Sequence, residues 1–357
     1  MPEERESNNT TKKVTSLLSI SHDKDVDGLA SAAIVWRYAK EKGLDFKAIL
    51  TDYGSFEQVF SYIAKQRDTL IIISDLGMDD SIIDMVQTGL TRAIAQDCRV
   101  VWLDHHQWHD KSIKMILSLG NKPVLKVNHE FCAAEITHKV LMPRDEVSTE
   151  LARIAHDTDF NLREIEAANA LTDAVSVIRF GAIDKKEDVT DALYSVLTKL
   201  AEEGMSGVWD NNSRKFKDVL LNQRVEYYRK EKTKKMRKAL AGHSDQIIHG
   251  KLVRIVEIPS GLTSTDMGTF ASDPEILTSI DPELKVADLL LSLSQGGMLG
   301  FRRGSDGVLC NVAAKLFNGG GHPYAAGGEY GLYESFQAVC DDIFVTLSKS
   351  KDWISES

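Results

Sequence analysis

Short apolar runs alternate with longer amphipathic segments over the first 160 residues of the chain. The short runs predict strands and the longer segments predict helices. Strands are predicted at 14–21, 45–51, 69–75 and 98–104, and helices at 28–42, 55–66 and 80–96. Strands that alternate with helices form βαβ units, and apolar runs without polar alternation are typical of strands buried on both faces. The pattern therefore predicts an α/β fold with a parallel sheet and helices on both faces.

The rest of the chain has a different pattern. Residues 130–200 read as mostly helical, and 207–242 read as one long polar helix. Further strands are predicted at 251–258, 286–294, 298–304 and 307–314, and a closing amphipathic helix at 335–350. We therefore divide the chain into a polar, disordered tail (1–13), a first domain (14–205), a helical connector (206–244) and a smaller α/β domain (245–357).

Composition and charge set limits on function. The chain has 357 residues, and 43% of them are apolar. Its net charge of −10 argues against electrostatic binding along long duplex nucleic acid. The basic run "RKEKTKK" favours a solvated connector helix, with a nucleic-acid track as the alternative. The sequence contains neither an export signal nor an apolar run long enough for a membrane helix. We expect a cytoplasmic protein without membrane contact and with reduced thiols at its four cysteines.

Carboxylates and imidazoles follow the predicted strands in four groups. They are His22, Asp23, Asp25 and Asp27 in "SHDKDVDG"; Asp75; Asp104, His105 and His106; and His156, Asp157 and Asp159 in "HDTD". Each group alone has an ordinary alternative. An Asp after a strand often caps the next helix, and "SHDKDVDG" could be a solvated turn or a calcium loop that lacks its bidentate Glu.

The conjunction of the four groups changes the interpretation. Carboxyl ends of parallel strands meet at one edge of a sheet, and several carboxylates there would repel one another without cations. Oxygen ligands with a few imidazoles suit Mn²⁺, and Mg²⁺ or Zn²⁺ less specifically. More carboxylates than one ion needs indicate two ions, the arrangement that serves phosphoryl transfer.

These residues resemble a known family. "HDKDVDG", Asp75, "DHH" at 104–106 and "HDTD" are similar to the four motifs of the DHH phosphoesterases. "FNGGGHPYAAGG" (317–328), preceded by "GFRRG", resembles the GGGH signature of their C-terminal DHH-associated domain. The resemblance extends over about 14–330 and favours the branch of RecJ-like exonucleases and oligoribonucleases. It implies a DHH catalytic domain followed, after the connector, by a DHH-associated substrate-binding domain.

The resemblance implies roles for individual residues. One Mn²⁺ would be held by His22, Asp25 and Asp75, and the other by Asp27, Asp75, His105 and Asp157. His106 would face the scissile phosphate, and Asp104 would orient a ligand histidine. Two assignments stay open: Asp23 could replace His22 in the first site, and Asp159 is the rival of Asp157.

The glycine-rich loop is the predicted substrate end. Glycines let backbone amides approach an anion closely, and a plain turn is the alternative. The resemblance implies a phosphate clamp, with Arg302 preferred over Arg303 as its cation. The predicted substrate-binding residues are Arg302, Asn318, Gly319, Gly320, Gly321 and His322.

Five aromatic residues divide into two groups. Trp102, Trp36 and Tyr38 occur in apolar patterns and are predicted to lie in the core. Trp108 and Tyr324 lie in the motif loops and are candidates for stacking on bases.

The function implied by the resemblance is a Mn²⁺-dependent phosphodiesterase or exonuclease that hydrolyses short single-stranded RNA or DNA to mononucleotides. Mg²⁺ is the alternative metal. The alternative functions are a cyclic dinucleotide phosphodiesterase, a phosphoadenosine phosphatase, or a catalytically silent scaffold of the replication machinery. A second copy of the chain and a replication or repair protein are the protein partners that remain open.

Overall fold

The computed structural model describes residues 14–78, 80–120 and 123–355 of the chain. The chain divides into two compact units, Met1–Glu226 and Tyr227–Ser357. The predicted disordered tail at 1–13 lies outside the described residues.

A parallel sheet of five strands forms the centre of the first unit, with strand order β2-β1-β3-β4-β5. Its strands are β1 (Ser16–His22), β2 (Asp45–Thr51), β3 (Thr69–Ser74), β4 (Arg99–Asp104) and β5 (Val124–Val127). The first four confirm the prediction. The sequence pattern missed β5, a four-residue edge strand that is buried only in part and so lacks an apolar run.

Helices cover both faces of this sheet, as predicted. They are α1 (Val26–Lys42), α2 (Phe56–Ile63), α3 (Ile83–Ile94), α4 (Asp110–Ser118), α5 (Ala133–Leu141), α6 (Glu146–Asp159), α7 (Glu166–Lys185) and α8 (Val189–Glu203). Alternate residues of β1 face opposite sides, as the pleat of a strand requires. Leu18 packs with the side chains of α2, α3 and α4, whereas Leu17 packs with those of α1 and α5.

The predicted long helix at 207–242 is shorter in the structure. A short antiparallel pair, β6 (Trp209–Asp210) and β7 (Lys215–Phe216), precedes α9 (Val219–Ala241). The turn between the strands is fixed by Asp210, whose carboxylate accepts hydrogen bonds from the Asn212 amide and the Ser213 hydroxyl. Such local side-chain bonds compete with helix formation, which the polar pattern alone does not reveal.

A mixed sheet of six strands forms the centre of the second unit, with order β12-β13-β11-β10-β9-β8. Its strands are β8 (Ser244–Ile248), β9 (Lys251–Ile258), β10 (Leu289–Ser294), β11 (Met298–Arg303), β12 (Gly320–Gly321) and β13 (Ala325–Glu329). The helices after α9 are α10 (Ser264–Ala271), α11 (Pro274–Ile280), α12 (Cys310–Lys315) and α13 (Phe336–Ser348). Only the β9–β10 pairing is parallel. A smaller α/β second unit is therefore confirmed.

The predicted strand at 307–314 was wrong. Val308 makes only an isolated bridge to Ile354, and the following residues form α12. Cys310, Ala313 and Ala314 are its buried residues, which is the three- and four-residue spacing of a helix face. A short continuous apolar run is compatible with a buried strand as well as with this helix.

Buried cysteines and tryptophans belong to the cores. All four cysteines are free and buried. Trp102 is fully buried in the first unit, as predicted, and Trp353 is fully buried in the second. Within the described part of the chain, no helix combines the length and the apolar character needed to cross a membrane.

Candidate metal centre

The carboxyl ends of β1, β3 and β4 bring the predicted metal ligands together. His22 ends β1, Asp75 follows β3 directly, and Asp104 ends β4 just before His105. Because these strands are parallel neighbours, the three ends meet at one edge of the sheet. Asp75 has a positive φ of 56°, so the backbone leaves β3 through a left-handed residue.

The first ligand cluster contains His22, Asp25 and Asp75. The His22 Nδ1 atom lies 3.3 Å from Asp25 Oδ2 and 3.7 Å from Asp75 Oδ2. Asp25 is held by its second oxygen, which accepts a hydrogen bond from the Gly28 amide at the start of α1. Gly28 is required here because a Cβ at this position would lie 2.2 Å from the His22 carbonyl oxygen.

The second ligand cluster surrounds His105. Its Nε2 atom lies 3.3 Å from Asp75 Oδ1 and 3.8 Å from Asp27 Oδ2, and its Nδ1 atom lies 3.5 Å from Asp159 Oδ2. Asp75 therefore faces His22 with one oxygen and His105 with the other. A carboxylate between two imidazoles in this way is suited to serve two neighbouring cations.

Asp27 is fixed by the N-terminus of α5. Its two oxygens accept hydrogen bonds of 2.7 Å from the amides of Ala133 and Ala134. Free amides and the helix dipole stabilise a carboxylate at this position. This contact offsets part of the cost of burying Asp27, which is 1% exposed.

His106 is oriented by Asp104. The buried Asp104 carboxylate lies 2.8 Å from His106 Nδ1 and also accepts hydrogen bonds from the His106 amide and the Trp108 indole. Trp108 contacts Trp102 edge to face, so this predicted base-stacking candidate is engaged with the core instead. His106 nevertheless lies with Asp75 and His105 in a third group of close ligand atoms.

The structure brings Asp159, and not Asp157, to the ligand clusters. The Asp157 carboxylate accepts hydrogen bonds from the amides of Glu164 and Ile165, at the start of α7. Asp159 lies two residues further along α6 and faces His105. His156, in the same motif, contacts Glu135 at 2.8 Å and stacks on Phe160.

Asp23, the alternative ligand of the first site, is engaged by Arg179 of α7. The Arg179 Nε atom donates to Asp23 at 2.7 Å, and its Nη2 atom donates to Asp52, just after β2, at 3.1 Å. This arginine ties the loops after β1 and β2 together. Sequence reasoning missed Arg179 because an arginine on a helix more than 150 residues away carries no local signal.

Burial and neighbouring charges shift the pKa values of the clustered groups. Burial by itself would lower the pKa of His22, but the facing carboxylates of Asp25 and Asp75 outweigh burial and raise it to about 10. Asp75 and its neighbours likewise overcome burial at His105, whose pKa also rises to about 10. Burial raises the pKa of Asp159 to about 6, and burial with the neighbouring Asp75 raises that of Asp27. Bound protons would therefore offset part of the carboxylate charge when no cation is bound.

The donor set fits divalent cations. Neither ring nitrogen of the buried His22, nor the buried Oδ2 atom of Asp75, has a hydrogen-bond partner. Buried polar atoms are rarely left unpaired, and two of these atoms, His22 Nδ1 and Asp75 Oδ2, lie 3.7 Å apart within a cluster of carboxylate oxygens and imidazole nitrogens. The side chains that could hold a metal are His22, Asp25, Asp27, Asp75, His105, His106 and Asp159.

In the second unit, Arg302 and the glycine loop line an open cleft of about 530 Å³. The Arg302 guanidinium donates to the Thr265 hydroxyl and the Phe301 carbonyl. Gly320 and Gly321 also line the cleft. This brings together three of the six predicted substrate-binding residues.

The other three predicted residues do not line this cleft. Gly319 packs closely, since a Cβ there would lie 2.0 Å from the Gly327 carbonyl oxygen. Asn318 is exposed at a positive φ of 52°. His322 is exposed and stacks in parallel on Tyr324 at 5.2 Å.

Fold and site together define an α/β protein with a cluster of carboxylates and imidazoles that could hold metal ions, at the edge of a parallel sheet. Residues 18–167 match the family model described as the DHH family, N-terminal domain. The first unit therefore contains a DHH-family N-terminal domain, as the motifs indicated. The match ends within this unit, so a DHH-associated domain in the second unit stays a prediction.

Solved structures with the same fold include three well-aligned examples. An exopolyphosphatase-related protein from Bacteroides fragilis has 12% identity and a TM-score of 0.54, covering 94% of this chain and 92% of its own. RecJ from Thermus thermophilus in complex with Mn²⁺ has 15% identity and a TM-score of 0.54, covering 96% of this chain and 54% of its own. A pGpG-specific phosphodiesterase, PggH from Vibrio cholerae, has 12% identity and a TM-score of 0.50, covering 94% of this chain and 99% of its own. A search of curated protein sequences finds no match.

Metal binding should release protons. His22 and His105 are protonated at pH 7 in the metal-free protein, because their pKa values lie near 10, and an imidazole must be neutral to bind a metal. Apparent Mn²⁺ affinity should therefore rise from pH 7 toward pH 10. Calorimetric titration in two buffers of different protonation enthalpy measures the release, and equal binding enthalpies in the two buffers would contradict it.

Replacing Arg179 should weaken metal binding without removing a ligand. R179A frees the loop that follows His22 and carries Asp25. We expect Mn²⁺ affinity to fall by about 10- to 100-fold, the usual cost of losing a residue that supports metal ligands. R37A is the matched control, because Arg37 makes a similarly buried bidentate pair with Asp145. Both variants should lose stability, but R37A should keep its Mn²⁺ affinity. Equal Mn²⁺ affinities in the two variants would show that Arg179 does not support the metal ligands.

Replacing Asp159 should affect metal binding, whereas replacing Asp157 should affect stability. D159A removes a carboxylate that faces His105, so we expect weaker Mn²⁺ binding with little change in stability. D157A removes the carboxylate that accepts hydrogen bonds from two partly buried amides at the start of α7, so the free energy of unfolding should fall by about 1–3 kcal/mol. Mn²⁺ titration and urea unfolding of both variants distinguish the two. The reverse result would favour Asp157 as the ligand, as the motif resemblance implies.

Proposed function

We propose that this protein is a metal-dependent phosphodiesterase that hydrolyses short single-stranded RNA or DNA to mononucleotides, with two Mn²⁺ ions or, as the alternative, Mg²⁺. The observation that carries the proposal is the position of Asp75, with one oxygen toward His22 and the other toward His105. Two ligand clusters that share one carboxylate suit a pair of divalent cations.

Each proposed cation has its own residues. His22 and Asp25 would complete one site with Asp75, and Asp27 and His105 would complete the other. The fourth carboxylate of the second site would come from Asp159 on geometric grounds or from Asp157 on the motif resemblance. Two cations held here would stabilise the charge that develops on the phosphoryl group and lower the pKa of water.

His106 is the proposed contact to the scissile phosphate. Asp104 engages its Nδ1 atom, which leaves Nε2 for the substrate. Burial by itself would lower the pKa of His106, but the bond to Asp104 outweighs it and raises the pKa. A protonated imidazole held in a fixed orientation would stabilise negative charge on the phosphate oxygens.

A second phosphate contact is proposed for the second unit. Arg302 and the backbone of Gly320 and Gly321 line one cleft, which combines a guanidinium with amides that no Cβ shields. Such a pair would hold a phosphate other than the one that is cleaved. The net charge of −10 favours short substrates over long nucleic acids.

Other functions remain as proposals with weaker support. Cyclic dinucleotides and phosphoadenosine phosphate offer the same phosphoryl chemistry. The pGpG-specific phosphodiesterase shares the fold, so a linear dinucleotide is a natural first substrate. A silent replication scaffold is disfavoured, because the buried His22 and Asp75 retain unpaired polar atoms that a protein without metal would have no need to bury.

Asp75→Asn should abolish Mn²⁺-dependent hydrolysis, because it removes the carboxylate that both clusters share. The assay compares a five-nucleotide RNA, a linear dinucleotide, a cyclic dinucleotide and a long single strand, with product analysis of end-labelled substrates. The matched control is D84N, which changes an exposed Asp on α3 and should keep full activity. Full activity of D75N would exclude Asp75 from the reaction, and an inactive wild type that binds no Mn²⁺ would support the scaffold.

A further inference from the structure

Tyr53 places an aromatic ring beside the first ligand cluster. It begins a short 3-10 turn, Tyr53–Ser55, directly after β2, which neighbours β1 in the sheet. Its ring lies edge to face against the His22 imidazole, with 5.7 Å between the centroids. Tyr53 therefore stands at the same sheet edge as the candidate metal ligands.

The Tyr53 ring is fixed at several points. Its hydroxyl accepts a hydrogen bond of 3.1 Å from the Gly77 amide, in the loop after Asp75. The ring also contacts Phe56 at 5.1 Å. Gly77 in turn lies against His106, since a Cβ at Gly77 would be 2.9 Å from the His106 Cβ. The side chain thus reaches across the end of β1 toward the residue that would face the scissile phosphate.

Much of Tyr53 is nevertheless exposed. The exposed fraction of Tyr53 is 44%, although two other aromatic rings and a backbone amide contact it. Another aromatic residue of this edge, Trp108, is already engaged with Trp102 and Asp104. A rigid ring with a free surface loses little conformational entropy when a flat ligand stacks on it.

We propose that Tyr53 is a nucleobase-stacking platform at the metal centre, which takes the base of the nucleotide whose phosphate lies at the ligand clusters. The proposal rests on the proposed function and adds a binding contact to it. A base is joined to its phosphate through one sugar, so a ring that touches a metal-ligating histidine is within its reach. Stacking on a tyrosine accepts any base, because every base has a π-face.

The test compares adenosine 5′-monophosphate with ribose 5-phosphate, which lacks the base, as ligands of the full-length protein with Mn²⁺. Calorimetry gives both Kd values for wild type, Y53A, Y53F and the control Y194A. Tyr194 is a matched control, because it is also 44% exposed and its ring also lies against another aromatic ring, that of Trp36. Trp36 stacks on Phe46 near the start of β2, at the opposite end of the strand from Tyr53.

Wild type and Y194A should bind the nucleotide about 5- to 150-fold more tightly than the sugar phosphate, the range expected for one stacked base. Y53A should bring the two Kd values within about twofold, and Y53F should keep most of the difference because it retains the ring. The ratio of the two constants cancels any effect of Y53A on metal binding. If Y53A does not fold, Y53L tests the same loss of the ring.

An unchanged ratio in Y53A, or a loss in Y53F as large as in Y53A, would overturn the stacking role. Failure of wild type to prefer the nucleotide over the sugar phosphate would overturn it as well. Failure of the proposed function is seen separately, as the absence of dinucleotide hydrolysis by wild type. The binding ratio still decides the role of Tyr53 in that case.

Discussion

The structure of the candidate site depends on one electrostatic balance. The buried carboxylates repel one another, and neighbouring positive charges must offset this repulsion. Asp75 and Asp27 are nearly inaccessible to water, and burial raises the pKa of each. Their neighbours His22 and His105 compensate by remaining protonated well above neutral pH. Divalent cations would take over this role and displace the protons. The clustered side chains are therefore arranged, in charge and in geometry, for the ions that they are proposed to bind.

The parallel sheet supplies the geometry of this balance. Neighbouring strands in the same direction deliver His22, Asp75 and Asp104 to one edge without any long loop between strand and site. Two elements outside the sheet complete the arrangement. The N-terminus of α5 fixes Asp27 through two amides, and Arg179 of α7 ties together the loops that follow β1 and β2. The ligands thus lie on rigid supports, which is the condition for precise placement of a substrate.

Much of this could be predicted from the sequence, because the signals are local. Unbroken apolar runs predicted four of the five parallel strands, and the carboxylates and imidazoles that follow β1, β3 and β4 predicted the cluster at their ends. The features that the sequence did not predict correctly have physical explanations. Asp157 and Asp159 are both acidic and only two residues apart, and only the course of α6 decides which one faces His105. Arg179 reaches Asp23 only in the folded chain, and the apolar run that became α12 satisfies both helical and strand patterns.

Asp27 has two duties at once, since it caps α5 and faces His105. Selection for a stable fold would preserve a carboxylate with both roles even after selection for catalysis has ceased. In a descendant that has lost catalysis, Asp159 could be exchanged, whereas an exchange at Asp27 would leave two buried amides without an acceptor. The survival of this one residue in a relative is therefore poor evidence that the relative is an active enzyme. Joint survival of Asp75 and His105, neither of which caps a helix, is the more informative record of retained chemistry.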